Sequence, residues 1–252
     1  MIKALKITVL VLICLALVGF MISFIHSGFN FSNMKAELVK EEEIELADIK
    51  NISVIAKSSD INIYDTDGEK VIVKFYSDKK SNIDITTEEK ELKIDSRQKG
   101  SICFGFCFGN RRIDVYVPKT YDGKFTIKTT SGDIKSELDK NNDYEIKVTS
   151  GDIKIDKLKS LVGSATSGDL EIEEISESID FRTTSGDIDI DIFDVNKNSS
   201  IKVTSGDVEI NKLTNAYVAT SVKSGDVKIN GNDRHAKYEL VIKTTSGDIE
   251  VN

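Results

Sequence analysis

The stretch Thr129-Thr130-Ser131-Gly132-Asp133-Ile134 decides how this 252-residue chain folds. It recurs with small changes at 148–153, 165–170, 183–188, 203–208, 222–227 and 244–249. Every copy keeps Ser-Gly-Asp followed by an aliphatic residue. Successive serines (Ser131, Ser150, Ser167, Ser185, Ser205, Ser224, Ser246) stand 17 to 22 residues apart. A period of that size marks stacked repeats, because one such unit is too short to bury a face alone.

Around Ser150, residues Tyr144, Ile146, Val148 and Ser150 alternate with Glu145, Lys147 and Thr149. Period two predicts a strand with one face inward, and it puts the serine column on that inner face. Gly151-Asp152 breaks the alternation, since glycine admits positive φ and aspartate bonds nearby backbone in turns. Ile153 and Ile155 then resume the inner face. The columns hold across the copies. Four residues before the serine stand Ile127, Ile146, Gly163, Phe181, Ile201, Thr220 and Ile242. Three after it stand Ile134, Ile153, Leu170, Ile188, Val208, Val227 and Ile249. Stacked coils would align these columns, with strands about 4.8 Å apart. The expected fold is all-β, a parallel β-solenoid, with an antiparallel sandwich or prism as the rival.

Upstream, residues 1–6 carry Lys3 and Lys6 and read as a cytoplasmic tail. Residues 7–25 contain no charge, and a run of that length spans a bilayer as a transmembrane helix. The basic residues before it place the amino terminus in the cytoplasm and the remainder outside. A cleaved signal peptide is the rival, but no Ala-x-Ala-type site follows. Cys14 lacks the small residue that precedes a lipidated cysteine. Residues 26–45 read as a stalk, with Glu41-Glu42-Glu43 as a solvated cluster. Residues 46–120 read as an amino-terminal β region. In it Ile52, Val54, Ala56, Ser58, Asp60, Ile61 and Ile63 match the repeat register, with Ser59 where the others have glycine. That is a degenerate first coil. Short strands at 71–76, 82–87, 91–95 and 112–117 lack the corner motif and are expected to cover the first end of the stack. Residues 121–252 are the Ser-Gly-Asp solenoid.

A net charge of −8 is ordinary for an acidic ectodomain and argues against nucleic acid as a partner. Cys103 and Cys107, in Cys-Phe-Gly-Phe-Cys, read equally as a disulfide or as two thiols in an apolar loop. The histidines, His26 and His235, do not complete a zinc set. Phe104, Phe106 and Phe108 read as core, with an exposed apolar tip as the alternative.

A short amino-terminal apolar run, a β stretch closing in Val115-Tyr116-Val117-Pro118-Lys119, and repeated Thr-Ser-Gly-Asp-Ile resemble the bacterial LiaG-like “putative adhesin” family over about residues 45–252. The resemblance implies a β-solenoid ectodomain on the cell envelope of a bacterium, in proteins often associated with envelope-stress systems. It brings no catalytic residue and no cofactor. Lys223, where other copies have threonine, and the ragged spacing depart from the ideal repeat.

Seven equivalent serines without a base beside them do not make a nucleophile. The corner glycines (Gly132, Gly151, Gly168, Gly186, Gly206, Gly225, Gly247) and aspartates (Asp133, Asp152, Asp169, Asp187, Asp207, Asp226, Asp248) read as structural corners. A Ca²⁺ ladder is the alternative for the aspartates, although the spaced acidic set of a calcium-binding repeat is absent. No metal or cofactor site is expected. A carbohydrate-active β-helix enzyme is the alternative function; it would need two carboxylates in unlike environments, and a repeated column supplies sameness. Lys128, Lys147, Arg182, Lys202 and Lys243 form an outward column three residues before the serine, interrupted by Ser164 and Ser221. Beside it runs a threonine column. Together they read as a solvated β face of high strand propensity or as a strip for a polyanion or glycan. The last coil, with Leu240, Ile242, Ile249 and Val251 inward, is expected to lie uncovered at the end of the stack and to offer an edge for self-association or an envelope protein.

Overall fold

A computed structural model describes residues 36–46, 49–77, 81–97 and 111–252. The apolar run at 7–25, Cys14, Cys103, Cys107 and the phenylalanines between 104 and 108 lie outside the described residues. The described chain is all-β. Seven strands precede the regular repeats: β1 (Glu37–Glu45), β2 (Asn51–Ile55), β3 (Asp60–Thr66), β4 (Lys70–Ser77), β5 (Asp84–Glu88), β6 (Glu91–Asp95) and β7 (Arg111–Pro118). The first repeats follow as β8 (Lys124–Ser131), β9 (Ile134–Glu137), β10 (Asn142–Ser150), β11 (Ile153–Ser167), β12 (Leu170–Ser185) and β13 (Ile188–Asp194). The remainder are β14 (Ser199–Ser205), β15 (Val208–Thr214), β16 (Ala216–Ser224), β17 (Val227–Ile229), β18 (Tyr238–Ser246) and β19 (Ile249–Val251).

Each repeat is a coil of two strand segments meeting at a Gly-Asp corner. Coils stack through parallel pairing in strict register: Ser131, Ser150, Ser167 and Ser185 are opposite one another, as are Ile134, Ile153, Leu170 and Ile188. The interior is filled by the expected columns. Ile127, Ile146, Phe181, Ile201 and Ile242 are buried, as are Ile155, Ile172, Ile190 and Ile210. Ser136 breaks an otherwise aliphatic column and is fully buried, but its hydroxyl bonds the buried Tyr144 hydroxyl at 2.7 Å. A buried polar group is tolerated when so satisfied. The Tyr144 ring stacks on Phe125 one coil away, with centroids 5.1 Å apart.

The coils do not stack in chain order. β2–β3 lies between β6–β7 and β8–β9. At the far end β14–β15 pairs with β18–β19, and β18–β19 pairs in turn with β16–β17. The final coil in sequence is therefore covered on both sides, and the outermost coil is β16–β17. This corrects the expectation of an uncovered last coil. Side-chain content explains the exchange. At matched positions the inner coil carries Leu240, Ile242, Ile249 and Val251, whereas the outer one carries Val218, Thr220, Val227 and Ile229. Burying the larger set favours the observed order by roughly 2 kcal/mol, at about 0.8 kcal/mol per methylene, and leaves the threonine hydroxyl near solvent. Ile249 is 1% exposed and Val227 45%. The outer edge of β16 is partly blocked: the Asn232 side-chain amide bonds both the N–H (2.9 Å) and the C=O (3.0 Å) of Val218, as a neighbouring strand would.

At the opposite end the strands turn antiparallel. β4 pairs with β7, β5 with β6, and β1 lies on β4. Residues 37–45, expected as part of a stalk, thus form an edge strand. Glu41 and Glu43 meet Lys74 and Lys70 across it at 3.2 and 3.4 Å, so the glutamate cluster is paired with cross-strand lysines.

Candidate functional site: corner ladder and basic face

The corners are joined by a continuous spine. Asp133 N–H donates to Asp60 Oδ1, Asp152 N–H to Asp133 Oδ1, and so on through Asp169, Asp187, Asp207, Asp248 and Asp226, at 2.7–3.1 Å. Beside each carboxylate bond the backbone adds its own. Gly206 N–H donates to Ser246 O at 3.0 Å, and Val208 N–H to Asp248 O at 2.9 Å. Glycine is required there on two grounds. Gly247 has φ +139°, and a Cβ on it would stand 2.6 Å from the carbonyl carbon of Gly206. The spine runs in one direction, so its outermost member, Asp226, receives no N–H from a further coil among the described residues.

The serines are exposed, not inward as the alternation predicted. The period ends two residues earlier, at the column of Thr129, Val148, Ala165, Thr183, Val203 and Thr244, which is buried. The chain has already begun to turn at the serine, so threonine and serine both face solvent. Like-charged corner carboxylates one coil apart repel by about 1 kcal/mol in water, and each N–H they accept offsets this. Among the described residues no group of three or more His, Cys, Asp or Glu side chains is placed to hold a metal ion. Asp187→Ala is expected to cost about 0.5–2 kcal/mol, the range for losing a capping carboxylate. Chelator should leave the melting temperature unchanged; a rise of many degrees with millimolar Ca²⁺ would instead show an ion ladder.

The basic column is built as expected. Lys128 lies opposite Lys147, Lys147 opposite Ser164, Ser164 opposite Arg182, Arg182 opposite Lys202, and Lys202 opposite Lys243. None of these five cations has an ion pair or side-chain hydrogen bond among the described residues. The following face of the coils differs. There Lys154 pairs with Glu171 at 2.5 Å and Lys228 with Glu250. Carboxylates crowd that face: burial, then Glu173 and Glu137, push Asp156 above the usual carboxylate range. Burial, then Asp191 and Glu171, do the same to Asp189. Acid and paired base thus crowd the strands after the corner, whereas before it the five column cations make no ion pair among the described residues, although Glu145, paired with Lys124 at 2.6 Å, lies near Lys128 and Lys147.

At the outer end the column changes shape. Ser221 replaces the cation opposite Lys243, and Lys223 appears two residues further on, in the threonine column. Arg182, Lys202, Lys243 and Lys223 line a depression of about 330 Å³, together with Thr204, Ser221 and Thr245. Lys223, read in the sequence only as an interruption of the threonine column, joins the basic strip at its outer end. Its signal was the paired Ser221/Lys223 exchange.

The Toastrack DUF4097 family profile matches residues 49–252, which spans the stack of coils. The chain belongs to that family. Several solved structures are similar to this Toastrack chain at low identity. One is a “putative cell adhesion protein” from Clostridium sporogenes, 17% identical, covering 86% of this chain and 99% of that one, with TM-score 0.41. A “putative adhesin” from Parabacteroides merdae is 15% identical over 84% of this chain and 96% of that one, with TM-score 0.38. A “putative lipid binding protein” from Parabacteroides distasonis is 18% identical over 84% and 93%, with TM-score 0.34. No curated protein matches the chain.

Proposed function

We propose that this protein is a non-enzymatic, LiaG-like member of the bacterial cell envelope, held by residues 7–25 as an uncleaved single-pass anchor. Its parallel solenoid presents the basic column outside the cell to an anionic envelope polymer. The observation that carries the reading is the column itself: five cations in register, none in an ion pair among the described residues, with Glu145 near Lys128 and Lys147 paired to Lys124 instead. Cations stacked about 4.8 Å apart repel one another, and a polyanion laid along the column would remove that cost while releasing its own counterions. The adjacent threonine and serine hydroxyls supply uncharged hydrogen-bond donors.

The test uses the full-length protein, which this reading expects to require detergent for extraction from membranes. Binding of long-chain polyphosphate should weaken steeply with salt, because exposed charges are screened within about 8 Å at physiological ionic strength. A Lys147/Arg182/Lys202 triple alanine variant should bind at least about 10-fold more weakly, a loss of about 1.4 kcal/mol. Equal binding by variant and wild type would remove the basic column from the function.

A further inference from the structure

We propose that the depression at the outer end of the basic column is a seat for a compact phosphate group, carried by the polymer that the column binds. This rests on the polyanion reading and narrows it from any anion to a phosphate-bearing one.

Along β8 to β14 the cations form a single file, suited to a chain of spaced single charges. At the last two coils the file bends. Lys243 lies opposite Ser221, and Lys223 stands two residues beyond Ser221. That places Lys223 about 6.6 Å along the strand from the column and one strand, about 4.8 Å, across from β18. Arg182, Lys202 and Lys243 thus form a row on three adjacent strands, Lys223 stands off its end, and all four line the depression, with Thr204 and Thr245 among its walls.

No carboxylate lines it. Two residues before the column stand Asp180, Ser200, Val241 and Ala219; Asp180, beside Arg182 at the inner side, is the one carboxylate among them and does not line the depression.

Such a cluster of charge, a row with one cation set off its end, selects by shape and valence. A carboxylate is planar, carries one charge and is satisfied by one or two cations. A phosphomonoester or terminal phosphate carries about −1.5 to −2 at neutral pH and presents three acceptor oxygens. It can take charged donors from several sides, and Arg182 contributes a guanidinium fork suited to two of those oxygens. Replacing the usual Thr by Lys at 223, and the usual cation by Ser at 221, opens room for such a group while keeping the number of cations.

The test measures binding of tripolyphosphate, citrate and long-chain polyphosphate to the full-length protein. Wild type should bind tripolyphosphate at least about 10-fold more tightly than citrate, a difference of about 1.4 kcal/mol. Lys223→Ala with Lys243→Ala should remove most of the tripolyphosphate binding. Lys128→Ala with Lys147→Ala should leave it within about two-fold while weakening the long polymer. All these side chains are exposed, and unchanged thermal melts establish that the variants fold. Equal binding of citrate, or a Lys223/Lys243 variant that holds tripolyphosphate like wild type, overturns the phosphate seat and leaves the basic column standing. Failure of wild type to bind the long polymer overturns the column itself. Tighter binding to vesicles containing phosphatidate than to polyphosphate assigns the group to a lipid and overturns the polymer as its source.

Discussion

Gly247→Ala is expected to lower the melting temperature of the full-length protein by about 10 °C. The methyl group would be driven into the Gly206 carbonyl, and the residue would have to hold φ +139°, where a side chain is strained. Relief requires the corner to move, but the corner is tied to both neighbours by the aspartate bonds and by Gly206 N–H on Ser246 O. The cost should fall among the larger single-residue effects, about 3–5 kcal/mol. At about 2–4 °C per kcal/mol for a chain of this size, that gives the stated shift. Gly68→Ala is the control. Its added Cβ would meet nothing closer than Thr66 Oγ1 at 3.5 Å, and its melt should match wild type. A Gly247→Ala protein that melts with wild type would mean that the corners are not stacked backbone on backbone.

The second large effect separates the observed order of coils from the order of the chain. Ile249 and Val227 occupy the same place in their repeats, three residues after the serine. Ile249 lies between two coils and Val227 on the outermost one. Ile249→Ala should destabilise by about 3 kcal/mol, as deletions of fully buried aliphatic groups do. Val227→Ala should cost less than about 1 kcal/mol, because the methyls removed are already near solvent. Urea unfolding of the two variants measures both. A stack in chain order would reverse the ranking, since β16–β17 would then be the enclosed coil.

Much of this architecture was legible because each repeat states its register twice, once in the alternation and once in the corner. The columns of Ile127 and Ile134 could be written down from the sequence, and they are buried as expected except at the outermost coil, where Val227 is exposed. The basic column was legible for the same reason, being fixed by its offset from Ser-Gly-Asp. The order of the coils was not. Every corner makes the same bonds to its neighbour, so the motif cannot say which copy lies beside which. That choice is made by small differences in side-chain volume, Ile242 against Thr220 and Ile249 against Val227, and by an excursion long enough to leave a gap. The serines were misplaced because period two was extended one step into the corner, where the chain has already turned. β1 was read as stalk because its partner, β4, lies well downstream and its glutamates look solvated until Lys70 and Lys74 are placed opposite them. The phosphate seat was half visible. Lys223 and Ser221 stood out as departures, but only the pairing of β16 with β18 brings Lys223 beside the column.

The exchanged order of the last two coils also governs how the stack can be completed. Residues 216–229 leave the ribosome before residues 238–252, yet they have no native surface to rest on until the later segment is in place. The contact that must form first, Asp248 N–H on Asp207 Oδ1, spans 41 residues, about twice the separation of the regular neighbours. Such a closure carries extra loop entropy and is slow relative to steps between adjacent repeats. The growing stack therefore pauses at β15 with an aliphatic edge exposed, then closes two layers together, the inner one arriving last. A propagating one-layer-at-a-time assembly becomes, at this end, a single cooperative step that waits for residues 238–252.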